Sequence, residues 1–318
     1  MIEHLARGAL LVAAQEFRIR LRTGRWRWLL VAWVLVLAAF TVLVDRALAA
    51  SGVHRHRGPA LFGILMLFVL GLVLVISPVL TAQVVNGDRE RGTLATLQIT
   101  RLSPAQIALG KLLAGWTVGL VALALALPFV VWAMAEGDLT VGRVAGVLGV
   151  SALLMGVVCA ISEAMSALLA RGITSALLSY LAVFALSAGT LIAFAVALPL
   201  TSDRVASGTV NRPDRIWWLL APNPFVILAD SAPRLPSQTS AGSFDSVPAD
   251  DPLSLLGVVT RRLRIPPDAR GGVDADQGIR IWPYGLGFDL LLASGAMALT
   301  VRRLRTPAHR VPRGVRIG

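Results

Sequence analysis

Two acidic residues interrupt stretches of the sequence that are otherwise strongly apolar. Glu163 lies in the run 144–170 and Asp289 in the run 282–301. A charge near the centre of a bilayer costs about 2.5–3.5 kcal/mol on insertion scales, so acids in such runs are candidates for function. Each can line a translocation path or carry a proton. Each can equally pair with a polar group for structure alone, Asp289 with Tyr284 or with arginines of the preceding loop.

Other reactive residue types are poorly placed for chemistry inside the apolar runs. No zinc-binding HExxH motif occurs. Cys159, the single cysteine, is expected to be a buried apolar side chain. Gly110 and Lys111 lack the remainder of a phosphate-binding loop, because Ala105 and Leu112 stand at its other required positions. The histidines all lie outside the runs: His4, His54, His56 and His309. We therefore expect no catalytic residue, no metal and no nucleotide cofactor in this chain.

The composition is that of a membrane protein. Of 318 residues, 56% are hydrophobic and 15% are charged, against about 25% charged in soluble domains. Apolar runs of the length that crosses a bilayer occupy much of the chain, which leaves no room for a large soluble catalytic domain. The runs are 28–44, 60–80, 112–135, 144–170, 173–200 and 282–301. The predicted fold is all-α and polytopic, with transmembrane helices one to five within 28–200 and the sixth at 282–301.

The first 27 residues have the pattern of an amphipathic helix that lies on the membrane. Glu16 is spaced to pair with Arg20 one turn later. One face of the helix is apolar, with Leu10, Ala13, Ala14, Phe17 and Leu21. The opposite face is polar, with Arg7, Gln15, Arg18, Arg22 and Arg25.

The formal charge of +12 is unevenly distributed along the chain. The N-terminal segment, the loop 81–111 and the tail 302–318 hold most basic residues of the short segments, whereas the loops on the other side hold few. By the positive-inside rule both termini are cytoplasmic, and the protein lies in the cell (plasma or inner) membrane. We therefore expect the basic residues to interact with anionic membrane lipids rather than with nucleic acid. The bias toward arginine and alanine indicates a high-GC bacterial genome.

The cytoplasmic loop 81–111 is the most informative stretch. Asn86, Gly87 and Asp88 are turn formers that end the second span. A short helical segment follows, in which Leu94 and Leu97 share one face. Ser103, Pro104 and Gln106 then form a strong helix start, with a capping box and proline at the first position. A short leucine-faced helix between two spans is suited to docking in a groove of another protein.

These residues resemble the loop of permease subunits of ATP-binding-cassette exporters, the ABC type-2 family. In that family the loop carries a glutamate, glycine, threonine, leucines, a turn, and a Gly-Lys pair that opens the third span. One departure is Arg101, where the family often has proline. The matching positions here are Glu90, Gly92, Thr93, Leu94, Leu97, Thr100, Leu102, Ser103, Gly110 and Lys111. The N-terminal helix is similar to the family's elbow helix.

The resemblance implies a non-catalytic subunit that is driven by a partner. ATP and magnesium would be bound and hydrolysed in a separate ATPase subunit, which would contact the segment from Glu90 and Arg91 to Leu102. A second permease chain, identical or different, would complete the transporter. The substrate is expected to be a lipid, a lipid-linked glycan or an amphiphilic drug.

The loop 201–281 is predicted to be external and to hold two short apolar segments. Residues 216–229 are too short to span and are broken by Pro222 and Pro224, which favours a re-entrant or interfacial hairpin. Trp217 and Trp218 would anchor it at the headgroups. The resemblance implies that this hairpin is an outer gate, and simple interfacial packing is the alternative. Asp251 and Pro252 start a second helix, a surface lid or anchor, with an apolar stripe at Leu253, Leu256, Val259 and Leu263.

Three functions from different classes are compatible with these features. An ATP-driven exporter permease needs a separate ATPase. An ion-coupled secondary transporter would use Glu163 and Asp289 and would be expected to show inverted repeats, which the sequence does not suggest. A membrane-embedded hydrolase would need a nucleophile and a base within the spans. The first is the function that the sequence favours.

Overall fold

The structure is a computed structural model that describes residues 2–22, 24–52, 57–81, 84–90, 102–205, 208–233, 251–269 and 279–305. Within these ranges the fold is all-α apart from one short antiparallel ribbon, in which Asp203–Val205 pairs with Gly208–Val210. Among the described residues, six helical segments are long and apolar enough to cross a membrane. Their number equals that of the predicted apolar runs.

The α-helices are numbered here in chain order. They are α1 (Ile2–Arg22), α2 (Gly24–Ala50), α3 (Arg57–Thr81), α4 (Asn86–Glu90), α5 (Pro104–Ala124), α6 (Leu127–Ala135), α7 (Val141–Leu168), α8 (Gly172–Phe184), α9 (Thr190–Ala197), α10 (Pro224–Ser231), α11 (Pro252–Leu263) and α12 (Trp282–Leu304). A single π turn, Ala185–Gly189, joins α8 to α9. Short 3₁₀ turns are formed by Pro199–Thr201, Pro213–Arg215, Trp217–Leu219 and Pro267–Ala269.

The spans differ from the predicted runs mainly at their ends. The third span begins at Pro104 rather than near residue 112, because the Ser103 cap starts the helix well before the apolar run. It is broken between α5 and α6, just before Pro128, whose ring cannot continue a regular helix. The six spans are Arg27–Ala50, Arg57–Val79, Pro104–Ala135, Val141–Leu168, Gly172–Thr201 and Trp282–Leu304.

The second and fourth spans form the centre of the bundle. In their most apolar windows 61% and 56% of residues are buried, whereas the fifth span has none and the first has 22%. The first span packs on the second through stacked rings of Phe40 and Phe68 and reaches the third through the indole of Trp33, which donates to the carbonyl of Ala122 at 3.0 Å. The first and fifth spans therefore leave broad apolar faces for lipid or another chain.

Two short helices of the segment between the fifth and sixth spans pack against the bundle. The predicted helix start at Pro252 is confirmed, and α11 runs alongside α10. The buried face of α11 is not the predicted leucine stripe. Leu253 is fully buried, but Leu256 and Val259 are 39% and 40% exposed. Gly257 takes their place in the packing, because a Cβ atom there would lie 3.0 Å from the carbonyl oxygen of Ala229.

The start of the sixth span is tightly packed at one glycine. A Cβ atom on Gly285 would collide with the carbonyl group of Ala221, whereas Gly287, two residues later, faces open space. We predict that Gly285→Ala destabilises the protein by about 1–3 kcal/mol through overpacking. The matched change Gly287→Ala should leave stability unchanged or raise it by up to about 1 kcal/mol, since alanine favours helix. Thermal unfolding in detergent measures both, and equal midpoints for the two variants would contradict this packing.

Candidate functional site at the base of the 81–111 loop

The two ends of the loop 81–111 are described, and its middle is not. Glu90 ends α4, and Leu102 and Ser103 precede α5. The predicted coupling residues between them lie outside the described residues: Arg91, Gly92, Thr93, Leu94, Leu97 and Thr100. Whether they form a docking helix therefore stays a prediction.

The capping box at the start of the third span is present. The hydroxyl of Ser103 accepts a hydrogen bond from the backbone N–H of Gln106 at 3.3 Å. The side chain of Gln106 accepts one in return from the N–H of Ser103 at 2.7 Å, and Pro104 occupies the first turn. The chain thus re-enters the bundle at a well-defined residue.

Lys111 lies further along the same helix and is completely buried. Its ammonium group donates three hydrogen bonds, which is all that it has. The acceptors are Oε1 of Glu16 at 3.0 Å, the carbonyl of Val84 at 3.2 Å, and Oδ2 of Asp88. Glu16 belongs to α1 and Asp88 to α4. One buried cation therefore holds the N-terminal helix and both ends of the loop together.

The base of the loop consists of residues 84–90 and 102–111, and contacts from the fourth and sixth spans complete this loop base. The hydroxyl of Ser166 accepts hydrogen bonds from the backbone N–H groups of Val85 and Asn86, at 3.1 and 3.2 Å. A small apolar cluster, separate from the main core, lies at the same end of the bundle. Its buried members are Val85, Ile107, Ala108, Ala167 and Leu304, with Leu102 packed against them. The loop base thus contacts the second, third, fourth and sixth spans.

The N-terminal helix is docked onto the first half of α5. Ala9 and Val12 are buried, and a Cβ atom on Gly8 or Gly110 would collide with the facing helix. Glycine at these two positions is what allows the close approach. The sequence suggested Arg20 as the partner of Glu16, whereas the structure pairs Glu16 with Lys111; the side chain of Arg20 lies outside the described residues.

Glu163 lies in the fourth span near the loop base and is 1% exposed. It precedes Ser166, which bonds the start of α4, by three residues of the same helix. Its Oε1 atom has no hydrogen-bond partner in the described part of the chain, and neither has the hydroxyl of Ser162. The structure therefore gives Glu163 a buried position in the fourth span near the segment 84–90.

Asp289 is equally buried but lies elsewhere along the bundle. It lines a small cavity together with Val157 and Val158 of the fourth span. These valines precede Glu163 by five and six residues, or about 8–9 Å of helix rise. The two acids thus occupy different levels of the bundle. Tyr284, one structural partner considered for Asp289, is instead packed edge to face on Trp217, with ring centroids 5.8 Å apart.

The predicted outer-gate residues form a turn followed by α10. Trp217 is covered by the guanidinium of Arg264, 4.2 Å from its ring centroid, while Trp218 is 58% exposed. Pro222 lies in the turn, and Pro224 is the first residue of α10. Gating by these residues stays a prediction.

A second set of buried ion pairs lies at the opposite end of the bundle, and no sequence pattern indicated it. Arg143 in the first turn of the fourth span is 1% exposed and donates to Oδ2 of Asp251 at 2.7 Å and to Ser254 at 3.2 Å. Asp230 accepts hydrogen bonds from the N–H groups of Ile281 and Trp282 at the start of α12. Arg261 lies 3.5 Å from the same aspartate. Asp251, predicted to start its helix, pairs with Arg143 and does not cap α11 with its side chain.

Comparisons with known proteins add no further constraint. The sequence matches no protein-family model and no curated protein. Within the described ranges, no group of three or more His, Cys, Asp or Glu residues is arranged to hold a metal ion.

The Lys111 cluster generates a stability prediction. Lys111→Met should destabilise the protein by about 3–5 kcal/mol, because the buried carboxylate of Asp88 and the partly buried carboxylate of Glu16 lose their cation. The matched control is Arg7→Met on α1, the helix that carries Glu16, because the exposed pair of Arg7 with Glu3 should contribute little. Unfolding midpoints in detergent distinguish the two. Combining Lys111→Met with Glu16→Gln and Asp88→Asn should recover much of the loss, and additive destabilisation would refute the ion cluster.

Proposed function

We propose that this chain is the membrane-spanning permease subunit of an ATP-binding-cassette exporter. ATP is hydrolysed by a separate subunit, and the chain itself is not an enzyme. It lies in the cell membrane with both termini in the cytoplasm, works with a second permease chain, and exports a lipid-like, glycan or drug-like molecule. The observation that carries the proposal is the fastening of both ends of the 81–111 loop to one buried ion cluster.

The loop base can transmit force because its parts are interlocked. Asp88 precedes the undescribed part of the loop, Lys111 follows it, and the two side chains are bonded to each other. A buried ion pair is costly to separate, so a push on the loop moves both ends together. Ser166 extends the connection to the fourth span and Glu16 extends it to α1. A partner that docks on the loop would thereby displace several spans at once.

The leucine face predicted between these ends provides the contact for the partner. Leu94 and Leu97 would insert into a groove of the ATPase, as amphipathic helices do in other complexes. Nucleotide binding closes the partner subunits in this scheme and pushes the loop. The second and third spans then tilt, the third at its break before Pro128, and a path along the seam between two permease chains opens outward.

The first experiment identifies the partner. The affinity-tagged chain is purified in mild detergent from its native membranes, and co-purifying proteins are identified by mass spectrometry. We expect an ATPase with a phosphate-binding loop in amounts comparable to the chain. Absence of any ATPase would overturn the proposal, and transport by the purified chain alone in an ion gradient would then favour an ion-coupled carrier.

The second experiment tests the docking face. Leu97→Asp should reduce co-purification of the ATPase by about tenfold or more, since burying an unpaired charge at an interface costs more than about 1.4 kcal/mol. The matched control is Leu200→Asp, at an 82% exposed leucine near the end of the fifth span. Both variants must insert and elute as wild type does. Equal ATPase recovery with the two variants would contradict the assignment of the coupling face.

A further inference from the structure

A small cavity lies where four spans and α10 meet. Its walls come from the second, fourth, fifth and sixth spans, and they include Leu74, Leu154, Val158, Leu186 and Pro224. Every lining residue is apolar except Asp289. The space open to the centre of a water molecule is ≈ 10 Å³, which is room for about one water-sized group.

Asp289 provides a buried carboxyl group in the wall of this cavity. Its side chain is 1% exposed, and its Oδ1 atom has no hydrogen-bond partner in the ranges that the structure describes. A hydrogen-bond donor or a cation strongly stabilises a carboxylate in apolar surroundings. A water molecule would donate a hydrogen bond to the carboxylate but would leave its negative charge without a counter-charge.

One wall of the cavity is an irregular part of the fifth span. Leu186 lies in the π turn Ala185–Gly189, and π turns occur often at functional sites. The side chain of Asn223 donates to the carbonyl of Ser187 at 2.7 Å and to the hydroxyl of Thr190 at 2.8 Å, and so fixes the turn to the start of α10. The cavity wall is thus built from two elements that one asparagine holds in register.

We propose that this cavity binds the primary ammonium group of an amphiphilic molecule. The ammonium group is about the size of a water molecule, carries three N–H donors, and pairs with the carboxylate of Asp289. The hydrocarbon tail lies outside the cavity, along the fifth span, whose most apolar window has no buried residue. As a substrate site it rests on the proposed export function, and it narrows the substrate class to lipophilic primary amines. A trimethylammonium head has the same charge but is too bulky and has no N–H donor.

The test measures binding to the purified chain alone in phosphatidylcholine nanodiscs. Radiolabelled dodecylamine is the probe, empty nanodiscs give the lipid background, and dodecyltrimethylammonium is the competitor with a matched tail. We expect saturable binding of one amine per chain and competition by the trimethyl compound that is at least about tenfold weaker than by unlabelled amine. Equal competition by the two would overturn the proposal.

Two variants test the residues. Asp289→Asn should weaken binding by about tenfold or more, because a charge-assisted hydrogen bond is lost. Leu186→Phe should have the same effect by filling the cavity with the carboxylate retained. The control is Leu181→Phe on the same span, at a side chain that is 56% exposed, and it should bind as wild type does. Wild-type affinity in either cavity variant would overturn the site.

The binding assay needs no ATPase, so its outcome is separate from that of the proposed function. Amine binding that depends on Asp289, without any co-purifying ATPase, would keep the site and overturn the exporter assignment. If an ATPase co-purifies with the chain but the chain does not bind the amine, the exporter assignment is kept and the amine site is overturned.

Discussion

The buried ammonium group of Lys111 is the interaction on which the arrangement of the loop base depends. A lysine with no exposed surface is tolerated only when its donors are all satisfied and its charge is neutralised. Glu16 of α1, and Asp88 and the carbonyl of Val84 in the segment 84–90, meet that requirement from two separate segments. Their relative positions are therefore fixed together, and the N-terminal helix is part of the same mechanical unit as the 81–111 loop.

Ion pairs hold the two ends of the bundle, and apolar side chains pack in the middle between them. At the far end Arg143–Asp251 fastens α11 to the fourth span and Arg261–Asp230 joins α11 to α10. Asp230 also accepts hydrogen bonds from backbone N–H groups at the start of the sixth span. Between the clamps the second and fourth spans pack through Leu, Val and Met side chains, which define no single register as strictly as an ion pair does. The cavity at Asp289 lies in this middle layer. A change imposed at one end can thus alter the cavity without unfolding the ends.

Local and compositional features of the fold could be predicted from the sequence, and long-range pairings could not. Six spans follow from hydropathy over about 20 residues, and the Ser103 cap follows from three neighbouring residues. The partners of Lys111 and Arg143 lie 95 and 108 residues away along the chain, at Glu16 and Asp251. No periodicity relates such positions. The same reason explains α11, whose buried face is set by Arg261 and Gly257 against α10 rather than by its leucine stripe.

The exporter mechanism requires that the Lys111 end of the bundle face the cytoplasm, where ATP is available. The direct test is the sidedness of two single cysteines, Leu97→Cys and Leu256→Cys, in a chain whose own cysteine is removed by Cys159→Ala. A membrane-impermeant maleimide is applied to inside-out and to right-side-out vesicles. The mechanism predicts that position 97 is labelled only in inside-out vesicles and position 256 only in right-side-out vesicles. Labelling of position 97 from the outside would contradict it.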